Sequence, residues 1–188
     1  MLSDIEKKNI AEAIREDAHQ AYGIQKLLCR GKCMVPILDD DAEVLVRDCR
    51  PDNVGIGDIV LYEYEGRLML HRYICTRKGP AGALVIVTKA DTALSCDPPI
   101  GAESLIGKVV EIERSGRSVR IDRYLWPLAF RVTGILSLLE WLAWYIRMKL
   151  FSRLVVRYEN RRFIRKTVLM PKLLFTRAMA ALMRFPKN

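Results

Sequence analysis

The sequence lacks several features of exported or disulfide-stabilised proteins. Its opening stretch, MLSDIEKKNIAEAIREDAHQAYGIQKLL, has no apolar core of the kind that a cleavable signal peptide needs. The five cysteines are odd in number and share no disulfide-scaffold spacing, so we expect reduced thiols in a cytosolic setting. Histidine is also scarce, and any imidazole chemistry must use one of two residues, His19 or His71.

Negative charge is almost missing from the C-terminal third. From Arg123 onward the chain has 14 Lys and Arg against 2 Asp and Glu, a net +12, which leaves −3 for residues 1–122 of a chain whose total is +9. Leu, Trp, Phe and Met are interleaved with these basic residues, a composition that favours a membrane surface or a partner protein over nucleic acid. We therefore predict membrane association and no nucleic-acid partner.

Three regions are predicted along the chain. Residues 1–28 resemble an amphipathic helix that begins at a Ser3–Glu6 capping box. Residues 29–122 alternate short apolar runs with turn residues, which predicts a small β domain, and residues 123–188 are helical and basic. The predicted strands are Glu43–Arg47, Ile59–Glu63, Leu68–Cys75, Leu84–Thr88, Ser104–Glu113 and Ser118–Asp122. The predicted fold class is mainly β, with an N-terminal helix and C-terminal amphipathic or hydrophobic helices.

Two C-terminal segments are predicted to be helices. Leu125–Ile146 is long enough to span a bilayer, but Arg131 and Glu140 would each cost a few kcal/mol at depth. We favour an interfacial or re-entrant placement, and a spanning helix or one packed on the protein remain alternatives. Pro171–Phe185 interleaves apolar and basic residues, which is typical of a helix in a membrane surface and also of a basic helix that covers the β domain.

Four side chains within residues 29–122 could carry chemistry. Cys33 lies in a predicted turn, RGKCMVPIL, where a thiol is either a nucleophile beside a base or a small buried hydrophobe. His71 lies on a predicted strand, LHRY, as a rigidly held base or a structural histidine. Asp91 and Asp97 lie in TKADTALSCDPPI, where a carboxylate could orient an imidazole or simply form a turn.

Taken in order, the segments GKCMVP, GDIVLY, HR, TKAD…D and IGKV resemble the signal peptidase I clan. The resemblance covers roughly residues 30–113 and is closest to the archaeal and endoplasmic-reticulum type, which uses histidine where bacterial enzymes use lysine. It implies that Cys33 occupies the place of the nucleophilic serine, that His71 is the base, and that Asp97 or Asp91 is the acidic member, with Asp97 preferred. It also implies endoproteolysis of a leader or signal segment, a peptide or protein substrate, and neither a metal nor an organic cofactor.

Three departures from that family are visible. Cys33 stands where the family has serine, a workable exchange because a thiol ionises more easily beside an imidazole. Ala90 stands where the family usually has glycine. The family's membrane anchor ahead of the nucleophile is missing and hydrophobic helices follow the β domain instead, so we expect the catalytic domain on the cytoplasmic side.

Other interpretations remain open. A catalytically inactive module that keeps the fold and binds a peptide or partner protein at the membrane is the main rival. Cys29, Cys33 and His71 could bind zinc, although a fourth ligand at tight spacing is lacking. A LexA-type self-cleaving switch shares the fold of the clan, but it would need a lysine base and usually a DNA-binding domain, and neither is visible here.

Overall fold

The structure, a computed structural model, describes residues 23–40, 42–79, 82–114, 116–151 and 161–183. Within these ranges the chain forms one antiparallel sheet of eight strands in the order β1-β2-β7-β3-β4-β5-β6, with β8 paired to β7, followed by two helices. The strands are β1 Ile24–Leu28, β2 Glu43–Asp48, β3 Ile59–Tyr64, β4 Arg67–Lys78, β5 Leu84–Lys89, β6 Ile100–Gly101, β7 Leu105–Arg114 and β8 Arg117–Arg120. The helices are α1 Trp126–Phe151 and α2 Arg161–Met183.

The prediction of a mainly β domain is confirmed, and its first hairpin shows why. β3 and β4 pair around Glu65 and Gly66, with φ angles of 51° and 72°. Positive φ at both central residues gives the turn a twist that matches the twist of the strands, and glycine adopts it without steric cost. The turn residues and the alternating flanks are both readable in the sequence, so this hairpin was predictable.

The structure differs from the prediction at the start of the described chain. Ile24–Leu28 forms strand β1, paired with β2 from Ile24 opposite Arg47 to Leu28 opposite Glu43, and is not the end of a helix. The segment IQKLL has too few residues for helical and strand periods to be told apart. Its pairing partner lies about twenty residues further along the chain. The remainder of the predicted N-terminal helix lies outside the described residues.

Strand β7 is central to the sheet because it pairs with three other strands along its two edges. One edge pairs with β2, and the other pairs first with β3 and then with β8. A larger hydrophobic cluster includes Val44, Ile59, Leu61 and Phe130, and a smaller one is built around Val60, Tyr62, Tyr73, Ile86 and Ile100. Because consecutive residues of a strand point to opposite faces, the neighbours Ile59 and Val60 belong to different clusters.

Helix α1 packs on the β domain at very close range. A Cβ atom added to Gly134 would lie 2.5 Å from Gly57 N and 2.6 Å from its Cα, and one added to Gly57 would overlap the Phe130 carbonyl. Gly57 also has φ +95°, which favours glycine. The stretch Trp126–Ile146 is long and apolar enough to cross a membrane by length and composition. Helix α2 begins before the predicted start and contains Pro171 in its interior.

Candidate active site

Cys33 lies in the loop that joins β1 to β2. The loop is closed at its base by a hydrogen bond from Cys29 N to Ala42 O, 2.8 Å, and it turns at Met34, whose carbonyl accepts from Ile37 N at 3.1 Å. The Cys33 side chain is half-buried and packs against the larger hydrophobic cluster. Its carbonyl accepts two hydrogen bonds from Thr92, one from the backbone N–H at 3.0 Å and one from Oγ1 at 3.1 Å.

His71 lies on β4 opposite Val60, with only 5% of its surface exposed. Its Nδ1 is 2.7 Å from Asp97 Oδ2. Asp97 is held in turn by Thr88, whose Oγ1 donates to Asp97 Oδ2 at 2.8 Å and whose carbonyl accepts from Asp97 N at 2.9 Å. The structure therefore brings His71 together with Asp97, the preferred of the two predicted carboxylates.

Tyr62 and Thr88 complete this group and were not singled out in the sequence. The Tyr62 hydroxyl oxygen lies 3.1 Å from His71 Nδ1 and 3.2 Å from Thr88 Oγ1. Burial raises the pKa of Tyr62 to about 12, so the hydroxyl keeps its proton at neutral pH. Both residues lie inside segments that carried the family resemblance, GDIVLY and TKAD. Their polar side chains at buried strand positions were the available signal.

The second nitrogen of the His71 ring faces a different environment. Within the described residues, the buried Nε2 atom makes no hydrogen bond. Since Nδ1 is taken by Asp97, Nε2 is the atom left for the neighbouring Cys33, whose side chain acts on the pKa of His71. Cys33 therefore lies close enough to raise the pKa of His71, although no hydrogen bond to Nε2 is formed among the described residues.

The electrostatics favour a charged imidazole. Burial lowers the pKa of His71, but interactions with Asp97 and Cys33 outweigh burial and raise that pKa to about 9. Burial alone would raise the pKa of Asp97, yet the hydrogen bond and charge of His71 hold it below its usual value. At neutral pH the site is therefore an aspartate–imidazolium pair beside the Cys33 side chain.

Asp91, the other predicted carboxylate, does not face His71. Its Oδ1 accepts from Arg72 Nε at 2.8 Å and its Oδ2 from Arg72 Nη2 at 2.6 Å. Burial would raise the pKa of Asp91, but Arg72 and Lys172 lower it to about 2. His71 and Arg72 are consecutive on β4 and point to opposite faces, so each takes a different aspartate. Asp91 is thus an ion-pair partner of Arg72, and the expectation that it could orient the imidazole is corrected.

A buried ionic cluster joins the sheet to both helices. Lys89 Nζ lies 3.0 Å from Glu140 Oε2 on α1, and Lys172 Nζ on α2 lies 3.4 Å from the same oxygen and 3.2 Å from Asp91 Oδ1. Arg72 also donates to Gly57 O at 2.7 Å and sits 5.3 Å from the Phe130 ring centroid. Glu140, which argued against burial in a membrane, is therefore neutralised inside the protein.

Cys29 is unlike Cys33 although both belong to the same loop. Cys29 is buried, and burial together with the neighbouring Cys33 raises the pKa of its thiol to about 11. The part of the chain that the structure describes contains no group of three His, Cys, Asp or Glu side chains that could hold a metal ion. Cys29, Cys33 and His71, which the sequence left open as an alternative zinc set, do not form such a group among these residues.

No protein-family model matches the chain, and no curated protein matches it. A functional assignment must therefore depend on the geometry of the site and on the motif order in the sequence.

Proposed function

We propose that the protein is a membrane-associated endopeptidase of the signal-peptidase type, which cleaves a leader or signal segment with Cys33, His71 and Asp97. The observation that carries the proposal is the 2.7 Å contact between His71 Nδ1 and Asp97 Oδ2, in a ring whose other nitrogen is buried and unpartnered among the described residues and whose pKa Cys33 raises. A carboxylate that fixes one ring nitrogen and leaves the other for a nucleophile is the arrangement of catalytic triads.

The chemistry follows from the charged state of the pair. The Cys33 thiolate attacks the scissile carbonyl carbon, and the carbonyl electrons move to oxygen. His71 Nε2–H protonates the leaving amine as the C–N bond breaks, which leaves a thioester on Cys33. Water then attacks the thioester and gives a proton to the now neutral Nε2, and collapse of the adduct releases a carboxylic acid and the Cys33 sulfur. Asp97 accepts from Nδ1–H throughout and holds the ring in one tautomer.

The surroundings of Cys33 suit an extended substrate. The backbone N–H of Cys33 is the natural donor to the oxyanion that develops on the scissile carbonyl. Strand β1 stands at the end of the strand order, pairs only with β2 among the described strands, and leads directly into the Cys33 loop. A peptide segment that paired with β1 would gain main-chain hydrogen bonds and run toward the nucleophile.

Helix α1 supports the membrane part of the proposal because its polarity is inverted. Apart from Phe130, which packs in the larger hydrophobic cluster, the face toward the protein carries Thr133, Gly134, Ser137 and Glu140, all buried. The outer face carries large exposed apolar side chains, Leu128, Ile135, Leu139, Leu142 and Ile146. A helix of a water-soluble domain shows the opposite distribution, and an exposed apolar face beside basic residues is typical of membrane binding.

The packing of α1 favours a placement along the membrane surface. Phe130 is stacked near Arg72, and Glu140 is bonded to Lys89, so two points of the helix are tied to the sheet. A helix that crossed the bilayer in this position would take part of the β domain with it, at the cost of exposing polar backbone and side chains to lipid. The five cysteines are all free, which supports the cytoplasmic side.

The proposal is tested by cleavage of a mixed peptide library. A proteome-derived library is incubated with the full chain and mixed phosphatidylserine–phosphatidylcholine vesicles, and the new peptide termini are identified by mass spectrometry. We expect products with wild type that disappear with Cys33→Ala and fall at least a hundredfold with His71→Ala, since the base is removed. Cys49→Ala, a half-buried cysteine outside the site, is the matched control and should leave the products unchanged.

A parallel measurement follows alkylation of each cysteine by iodoacetamide at pH 7. Cys33 should react fastest, because burial raises the pKa values of Cys29, Cys49 and Cys96 to about 11 and keeps those thiols protonated. Exposed Cys75 gives the rate of an unassisted thiol. If no cleavage product depends on Cys33 and its alkylation is no faster than that of Cys75, the chain is a peptide- or partner-binding module and the peptidase proposal is wrong.

A further inference from the structure

One peptide unit connects the C-terminal helices to the loop that bears the proposed nucleophile. Lys172 Nζ, on α2, donates to the carbonyl oxygen of Asp91 at 3.0 Å. The N–H of the same peptide unit belongs to Thr92 and donates to the carbonyl oxygen of Cys33 at 3.0 Å. Lys172 and Cys33 therefore hold opposite sides of one peptide plane.

The planarity of the peptide bond makes this connection directional. The C=O of Asp91 and the N–H of Thr92 lie in one plane and point in opposite directions, so fixing the first orients the second. The Thr92 hydroxyl adds a second bond to the same Cys33 carbonyl at 3.1 Å. Arg72 clamps the Asp91 carboxylate through two nitrogens, which leaves the peptide unit little freedom to rotate.

The hydrogen bond from Lys172 to the Asp91 carbonyl also depends on both helices. Lys172 is 3% exposed and shares Glu140 Oε2 with Lys89, so α1 and α2 jointly place the ammonium group. We propose that Lys172 is a positioning residue of the site, which holds the Asp91–Thr92 peptide unit so that Thr92 can fix Cys33 beside His71. This inference rests on the proposed peptidase function, and it makes helix docking a condition for an active nucleophile.

The charge balance of the cluster allows a clean test. Three buried cations, Arg72, Lys89 and Lys172, face two carboxylates, Asp91 and Glu140. Replacing Lys172 by methionine keeps an unbranched apolar side chain of similar length and leaves two cations with two anions. The variant therefore creates no uncompensated buried charge, which is the usual reason why such a change unfolds a protein.

The test measures alkylation of the full chain by iodoacetamide, cysteine by cysteine, between pH 5 and 9. Loss of the imidazolium partner removes the positive charge beside the attacking sulfur, so the Cys33 rate should fall. We expect Lys172→Met to lower it at least fivefold and to give a rate that rises with pH as for an unassisted thiol. Thr92→Val should lower it less, since the backbone bond remains. Arg177→Met, exposed on the same helix, should change nothing.

Buried Cys29 reports whether the loop has simply unfolded. If Lys172→Met leaves Cys29 protected and the Cys33 rate and its pH profile unchanged, the positioning role is overturned while the peptidase proposal stands. If Cys33 is no faster than Cys75 in the wild type and no cleavage product depends on Cys33, the peptidase proposal itself fails. If Lys172→Met exposes Cys29, the loop has unfolded and the Thr92→Val variant is used instead. An unchanged Cys33 rate in Thr92→Val then overturns the inference.

Discussion

Replacing Asp97 by asparagine probes the electrostatics of the site most directly. Asparagine keeps the shape of the side chain and an oxygen for Thr88, but it carries no charge. After burial, which acts in the opposite direction, the Asp97 hydrogen bond is the largest influence on the pKa of His71. The substitution therefore removes the main interaction that raises the pKa of His71. Burial, which lowers that pKa, and Cys33, which raises it, remain.

The expected size of the effect follows from the pKa of His71. That pKa is about 9 in the folded protein against an ordinary 6.5, a difference equivalent to about 3 kcal/mol in favour of the protonated ring. The side chain is 5% exposed, so solvent screens this interaction little. Because Asp97 supplies the larger part of the favourable interactions and burial persists, we expect the pKa of His71 in the variant to fall well below its wild-type value.

The same change alters how stability depends on pH. A pKa raised on folding means that protonation of His71 stabilises the folded state fully below pH 6.5, and that this contribution is lost as the pH rises through about 9. Wild type should therefore exceed Asp97→Asn by up to about 3 kcal/mol near pH 6, and this part of the difference should vanish above pH 10. Taking the difference cancels other groups that titrate here, such as Lys89, whose pKa burial lowers to about 8.

The assay is an NMR titration of the two histidines with denaturant unfolding at each pH. The matched control is Asp52→Asn, the same exchange at an exposed aspartate outside the site, and it should leave the pKa of His71 near 9. If His71 of wild type titrates near 6.5, the charged pair does not exist. If His71 of Asp97→Asn still titrates near 9, Asp97 is not the source of the raised pKa.

Two further predictions concern α1. Gly134→Ala should lower the free energy of unfolding by about 1–3 kcal/mol despite the better helix propensity of alanine, because the new Cβ would lie 2.5 Å from Gly57 N, a backbone atom that cannot give way. Ala143→Ser, exposed on the same helix, is its control, and an unchanged or higher unfolding midpoint for Gly134→Ala would contradict the observed close packing. The triple change Leu128→Ser, Leu139→Ser and Leu142→Ser should reduce sedimentation with phosphatidylserine-containing vesicles at least tenfold without altering the melting temperature. Leu68→Ser changes an equally exposed leucine on β4 and should leave sedimentation unchanged. Equal loss of sedimentation in both variants would place the membrane contact elsewhere.

The β domain was largely predictable because its signals are local. Turn residues such as Gly66 and alternating flanks specify hairpins within a few residues, and the observed strands begin within a residue or two of the predicted ones. Strands β1 and β6 were not predicted because they are short and are defined by their pairing with distant strands. Ile100–Gly101 is a strand only because it pairs with Val85 and Ile86.

The choice between the two aspartates could not be made from the sequence. Asp91 and Asp97 are six residues apart in one polar segment, and either could have met an imidazole. Tertiary structure decided it, since Thr88 draws the Asp97 backbone and carboxylate back toward His71 while Arg72 binds Asp91 on the opposite face of the sheet. Alternation along β4 fixes this division, but only the fold shows which carboxylate reaches which face.

By itself, the sequence determined the β framework, the helical and basic C-terminal region, and the residues Cys33, His71 and Asp97 as candidates. The tertiary structure alone decided that Glu140 is a buried partner of Lys89 and not a charge left in a membrane. It also decided that Lys172 reaches the Cys33 loop through the Asp91–Thr92 peptide unit. Such contacts join residues 51 and 81 positions apart, and no local period or propensity encodes them, because their free energy arises only when distant charges are buried together.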